Sequence, residues 1–344
     1  MNPVRNPKIQ SVLKTINPTQ DSLINHNNHS RFKISNGVNL ASQVVVKDLL
    51  RKYNVEPFKG LGQNFLISEN ILKKIVEAAN VGPKDIILEI GPGIGTLTQE
   101  LARKAKKVIV VEKDKKMIEI LKETLADFTN IKVIDADILK TDLINYKLKT
   151  KNYKLISNLP YNIASAVIRK FLESKNPPKE MILMVQKEVA QRICAKPPNM
   201  TRSTGSGSSR AGRGMNLLAV SVQFYSEPKI LFYVSKVNFW PRPKVDGAVI
   251  KITTNNEQRT MKIDKKLFFK IVKAAFSQPR KQILNNLSKV LKLDKLSNIL
   301  NNKNLAGKEK TREWLLKSGV DPSQRAETLA IKDWLKLTKD WYKI

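Results

Sequence analysis

The tetrapeptide Asn158-Leu159-Pro160-Tyr161 follows the apolar run KLIS (154–157) and precedes the helix-like run ASAVIRKFLE (164–173). The Asn158 side-chain oxygen and the Leu159 carbonyl can both accept hydrogen bonds from one NH₂ group. Held that way, an aromatic amine is drawn toward sp³ geometry, and the lone pair otherwise tied into its ring becomes available to attack a methyl sulfonium. Pro160 restricts the backbone so that the two acceptors converge. Tyr161 offers a face on which a base can lie after leaving its own stack. No general base is required. This suits a chain whose two histidines, His26 and His29, both fall within its first fifty residues. The competing, purely structural reading of the same four residues is a proline-terminated strand with a buried tyrosine.

A second constellation supplies a cradle. EIGPGIGTLT (89–98) ends an apolar run with Gly91, Gly93 and Gly95 and then opens a helix. Glycines let the backbone approach a ligand closely, and a helix N-terminus offers free N–H groups. Glu112 ends the next apolar run, 21 residues beyond Gly91, where a carboxylate can accept both hydroxyls of a ribose. Dinucleotide enzymes carry G-x-G-x-x-G, whereas this turn reads G-x-G-x-G. That spacing favours a nucleoside without a pyrophosphate, namely S-adenosylmethionine. Asp137, in DADIL after the third run, falls beside Glu112 and can accept from the amine of an adenine.

These residues need a scaffold that gathers them at one edge. DIILEI, KVIVVEK, IKVIDAD, YKLIS and EMILMVQ are short, branched and nearly continuously apolar, as strands buried on both faces are. Helical stretches such as TLTQELARKAKK and KKMIEILKETLAD separate them, which predicts a parallel sheet wound with crossover helices. KILFYVS and GAVIKITT lie close enough in sequence to pair antiparallel at one edge of it. Residues 264–344 read as helices: LFFKIVKAAF, KQILNNLSKVLKL, TREWLLKSG and LAIKDWLKLTKDWYK. The chain therefore divides into an Asn-rich flexible extension over 1–55 that ends in a short helix, a Rossmann-like domain over 56–260, and a basic helical domain over 261–344. Within the second, 196–214 is a Gly/Ser loop with four basic residues and no acid.

Composition narrows the partner. Sixty-two Lys and Arg against 30 Asp and Glu give a formal net charge of +32 over 344 residues, which points to a polyanion, most commonly nucleic acid. A lysine-rich proteome would contribute to the same surplus. Cys194 is the single cysteine, so no internal disulfide framework exists and a reducing compartment is expected. With no Cys cluster and no His after residue 29, no metal site is expected. No apolar run approaches the ~18 residues of a membrane span, and no secretory segment opens the chain. The acid-poor start is compatible with an organellar presequence, but its sparse Arg and abundant Asn weaken that reading. A cytoplasmic location is expected.

Ordered along the chain, GQNFL (62–66), EIGPGIGTLT, VVEKD, DADIL, NLPYNI, QKEVAQR (186–192), NFWPRPKVDGAV (238–249) and RAETL (325–329) resemble one family. It is the ribosomal RNA adenine-N6 dimethyltransferases, in the branch acting on the small subunit. The resemblance spans about 56–335. It implies a class I methyltransferase domain with a mostly parallel seven-stranded sheet and a small helical domain. It further implies S-adenosylmethionine as cofactor and two methyls on each of two adjacent adenines in the terminal hairpin loop of small-subunit RNA. The enzyme would act as a monomer on immature subunits during ribosome biogenesis. Asn64 and Leu66 then match cofactor contacts, as do Gly91, Gly93, Glu112, Asp137 and Asn158. Phe239 matches a second aromatic wall opposite Tyr161. The 196–214 insertion, Lys59-Gly60-Leu61 and the extension before residue 56 depart from the family pattern. Two other readings are an antibiotic-resistance methyltransferase of large-subunit RNA and a nucleic-acid-binding relative that has lost activity. Intact NLPY and Gly motifs argue against the latter.

Overall fold

The computed structural model describes residues 38–57, 62–142, 152–198, 214–255, 261–293 and 307–343. Residues 1–37 of the extension, Lys59-Gly60-Leu61, most of the basic insertion (199–213) and 294–306 lie outside them. In chain order the first elements are α1 (Gln43–Lys52), β1 (Phe65–Leu66), α2 (Glu69–Ala78), β2 (Ile86–Ile90), α3 (Thr96–Ala102), β3 (Lys107–Glu112), α4 (Lys115–Thr124) and β4 (Ile131–Asp135). Next come β5 (Tyr153–Asn158), α5 (Ala164–Glu173), β6 (Glu180–Gln186), α6 (Lys187–Ile193), α7 (Leu217–Gln223), β7 (Ser226–Val234), β8 (Phe239–Trp240) and β9 (Gly247–Thr254). The helices α8 (Lys265–Ala275), α9 (Ile283–Leu293), α10 (Gly307–Lys317) and α11 (Ile331–Asp340) complete the described fold.

The main sheet runs β4-β3-β2-β5-β6-β9-β7. Its first five strands pair in parallel, while β9 is antiparallel to both β6 and β7. The apolar strands are explained by what covers them. Leu88, Ile90, Ile109 and Val111 face a core shared with α5 and α7, and Ile87, Val108 and Val110 face one shared with α2 and α3. Both faces are dry, so alternation disappears from the sequence. At the amino end, the buried Lys154 ammonium binds Asp85 at 3.0 Å and Glu180 at 3.2 Å, and the Ala79 and Asn80 carbonyls, tying β5 to its surroundings.

Parallel strands place their carboxyl ends on one edge. Strand order reverses between β2 and β5, so a crevice opens where those two ends diverge. The loops that carry the candidate residues rim that crevice. Two flanking features were outside the sheet pattern. First, α1 is packed rather than trailing: Val46, Leu49 and Leu50 bury against Ile94, Met117 and Ile120, and Lys52 reaches Glu123 at 2.7 Å. Second, the helices beyond residue 264 share the sheet's own apolar cluster, with the Phe224 and Phe268 rings 4.3 Å apart between centroids.

Candidate active site

The Gly loop leaves β2 at Ile90 and turns at once. Gly91 has φ +63°, and a Cβ on it would meet the Pro160 ring at 3.2 Å. Gly93 has φ +60°, with the Phe65 ring 3.3 Å from its would-be Cβ. L side chains rarely adopt such angles, and here there is no room for one. The two glycines thus let the first loop, GQNFL and NLPY lie against one another. The cleft they share encloses about 1090 Å³, part of it open to solvent.

Acids line that cleft, against the basic balance of the chain. Glu112 stops β3 and is buried. Its Oε1 accepts from the amides of Lys113 (2.8 Å) and Asp114 (2.9 Å), and among the described residues nothing donates to Oε2. Burial raises the Glu112 pKa, and the two amides oppose that rise. Asp137 follows β4, which pairs with β3 by placing Asp135 opposite Glu112. One Asp137 oxygen accepts from the Leu139 amide at 2.9 Å. The third acid, Glu89, is one that sequence reasoning passed over. It is 2% exposed, accepts from the Thr98 hydroxyl at 2.7 Å, and burial pushes its pKa up to about 8. A lone acid inside the strand IILEI was the available signal, since strands buried on both faces seldom carry one.

NLPY sits on the opposite lip. The Asn158 Nδ2 donates to the Asn64 carbonyl at 3.4 Å, a long bond that still orients the amide. Its Oδ1 therefore faces the other way, without a donor among the described residues. The Leu159 amide is occupied by the Met184 carbonyl at 3.2 Å, while no described donor takes the Leu159 carbonyl. Two acceptors on adjacent residues are thus unclaimed among the described residues. The Tyr161 hydroxyl is buried with no partner, and burial together with the Asp246 charge pushes its pKa up to about 12.

GQNFL closes the near side. Gln63 Nε2 donates to Asp114 at 2.8 Å, and Asn64 Nδ2 donates to the Gly62 carbonyl at 3.1 Å. Phe65 and Leu66 pair as β1 with Trp240 and Phe239 of β8. Of the residues expected from sequence, Asn64, Leu66, Gly91, Gly93, Glu112, Asp137, Asn158, Leu159, Pro160 and Tyr161 all line the cleft. Phe239 does not. It is 3% exposed and packs with Val234 and Val249 in the core beneath β1. The residues fit S-adenosylmethionine by chemistry: a cationic nucleoside suits a cleft with the carboxylates of Glu112 and Asp137 and two glycine-thinned backbone walls. Among the described residues no group of three or more His, Cys, Asp or Glu could hold a metal ion.

The family described as ribosomal RNA adenine dimethylase matches residues 58–320. A ribosomal RNA small subunit methyltransferase A from Alkaliphilus oremlandii is 42% identical over 299 residues, covering 86% of this chain and 95% of the relative. Its counterpart from Dehalococcoides mccartyi is 39% identical over 297 residues, covering 86% and 92%. Among solved structures, a dimethyladenosine transferase from Plasmodium falciparum superposes with a TM-score of 0.65 at 27% identity, covering 80% of this chain and 96% of that one. The 23S rRNA methyltransferase ErmE, at 22% identity and a TM-score of 0.56, shares the fold.

Proposed function

The chain belongs to the ribosomal RNA adenine dimethylase family, and from that we propose that it N6-dimethylates two adjacent adenines in the 3′-terminal hairpin loop of small-subunit ribosomal RNA. The observation that carries the reading is the pair of unclaimed acceptors, Asn158 Oδ1 and the Leu159 carbonyl, on the lip of an acid-lined cleft. They hold the adenine amine by its two hydrogens for the first transfer, and by the one that remains for the second, and turn its lone pair into the cleft. S-adenosylmethionine, when bound there, supplies the methyl group as an electrophilic sulfonium. Glu112 and Asp137 orient its ribose and adenine through oxygens that the protein leaves free. Methylation makes the amine cationic, and the two oxygens stabilise that charge until a proton passes to water. The extruded base stacks on Tyr161, which already lines the crevice. We place Phe239 as the second wall, reached when β8 shifts; that strand is held to β1 over only two residue pairs.

The remainder of the chain fits an RNA enzyme. We assign catalysis to 56–260 and RNA grip to the basic helices of 261–344 and the 196–214 segment, whose positive charge meets phosphates. Because Phe268 packs on Phe224, that grip is probed by reversing exposed lysines rather than by deleting helices. No helix among the described residues is long and apolar enough to cross a membrane. We place the protein in the cytoplasm as a monomer acting on immature subunits. The test is transfer of labelled methyl from S-adenosylmethionine to small subunits, large subunits or neither, all lacking the modification. Label in the small subunit is expected. Label confined to the large subunit, or none, would refute the assignment.

A further inference from the structure

Beside the crevice, the carboxyl end of the sheet carries a patch that the methylation chemistry leaves unused. Tyr233, near the end of β7, is 51% exposed, an unusual amount for an aromatic in a strand. Val237 and Val245, exposed at 53% and 44%, lie on the segments either side of β8. The same segments and the start of α6 carry four cations: Lys187, Lys236, Arg242 and Lys244. None of the four forms an ion pair among the described residues. The Lys187 ammonium lies 5.2 Å from the centroid of the Tyr233 ring.

The patch is physically continuous with the catalytic lip. Gly247 opens β9, and its would-be Cβ lies 3.5 Å from the Tyr161 hydroxyl. Gly247 pairs with Val234, and the next pair along the ladder is Ala248 with Tyr233. Asp246 joins the two sides: its carbonyl takes the Lys187 amide at 2.9 Å, its carboxylate takes the Lys236 amide at 3.0 Å, and its charge acts on Tyr161. Tyr161 and Tyr233 are thus linked through consecutive residues of β9, Gly247 and Ala248.

We propose that Tyr233, capped by Lys187, is a stacking subsite for an unpaired base neighbouring the target adenine in the RNA. The inference rests on the function proposed above. An exposed aromatic suits the face of a base, and Lys187 with the unpaired cations of the segments either side of β8 suits the phosphates that connect that base to the target. This is the combination that single-stranded RNA uses, aromatic stacking plus a basic track. An acidic protein partner would complement the cations but leave the exposed ring without a planar ligand.

The test uses the full chain and binding as well as turnover. Tyr233→Ala and Tyr233→Phe are compared with wild type by anisotropy of a labelled hairpin-loop RNA, and by KM and kcat on small subunits lacking the modification. Losing one base–aromatic stack is expected to weaken RNA binding and raise KM ~10-fold, with kcat and S-adenosylmethionine affinity kept and Tyr233→Phe near wild type. A second arm repeats the binding with an abasic nucleotide on either side of the target. At the stacked position wild type loses the same factor, and Tyr233→Ala loses nothing more. Because the ring is exposed, thermal melts of all variants are expected to coincide. If Tyr233→Ala binds the intact hairpin within about twofold of wild type, the subsite is overturned and the patch belongs to another partner. If wild type binds the hairpin but methylates no subunit, the proposed function falls, and the anisotropy arms still decide the stacking.

Discussion

Replacing Asn158 by alanine isolates the step on which the chemistry depends. The side chain spends its Nδ2 on the Asn64 carbonyl, so Oδ1 is the group available to an incoming amine. Alanine removes that acceptor and leaves the Leu159 carbonyl, which belongs to the backbone and persists. The amine then keeps one hydrogen bond of two, and its lone pair returns toward the ring. Removing one oriented group that stabilises a reacting centre lowers kcat by ~10²–10³, about 2.7–4 kcal/mol. Cofactor affinity should fall only several-fold, because Glu112 and the Gly loop are untouched. The assay is single-turnover methyl transfer at saturating RNA, beside a calorimetric titration with S-adenosylmethionine. A variant that kept about one tenth of the wild-type rate would refute the role, since that loss is about 1.4 kcal/mol, below the range for such a group. An equal loss in cofactor binding would refute it too, by making Asn158 a cofactor ligand only.

Three other outcomes follow from the same geometry. Glu112→Ala should weaken S-adenosylmethionine binding by roughly 1.5–3 kcal/mol, the worth of a charge-assisted hydrogen bond, with kcat at saturation much less affected; unchanged affinity by calorimetry would remove Glu112 from the ribose. Glu89 holds its proton more tightly folded than unfolded, at about 8 against 4.5, so its ionisation opposes folding progressively as pH rises through that window. Urea melts of Glu89→Gln and wild type should therefore diverge in favour of the variant from pH 5 to pH 8, and parallel curves would contradict the buried, protonated carboxyl. Tyr161→Phe deletes a buried hydroxyl that has no partner, so it should raise stability by about 1 kcal/mol while methyl transfer stays within a few-fold. A large loss of activity would mean that the hydroxyl meets the substrate.

Most of the cleft was legible because its residues end buried strands. A strand covered on both faces must be apolar throughout, so its termination by Glu112, by Asn158 or by the Gly91 turn stands out in one dimension. Parallel pairing then brings those ends to one edge without further information. Phe239 shows the limit: the motif around it marks a loop near the crevice, but its burial beneath Leu66 follows from the β1–β8 ladder, which joins segments about 170 residues apart through two pairs. Two-residue strands have no period to read. The packing of α1 was hidden for a similar reason, because its apolar stripe Val46, Leu49 and Leu50 declares a helix without saying which surface it covers. Tyr233 was obscured by its setting in KILFYVS, where an exposed aromatic looks like any other strand residue.

In the proposed reaction, adenine N6 in small-subunit RNA receives two methyls at each of two adjacent positions. Small subunits lacking the modification, treated with the protein and S-adenosylmethionine, can be digested to nucleosides and to fragments of the 3′-terminal hairpin and weighed by mass spectrometry. N6,N6-dimethyladenosine at two neighbouring residues of that loop, absent when Asn158→Ala replaces wild type over the same time, is the predicted result. Methyl groups on another base, on ribose, or on adenines of the large subunit would contradict it.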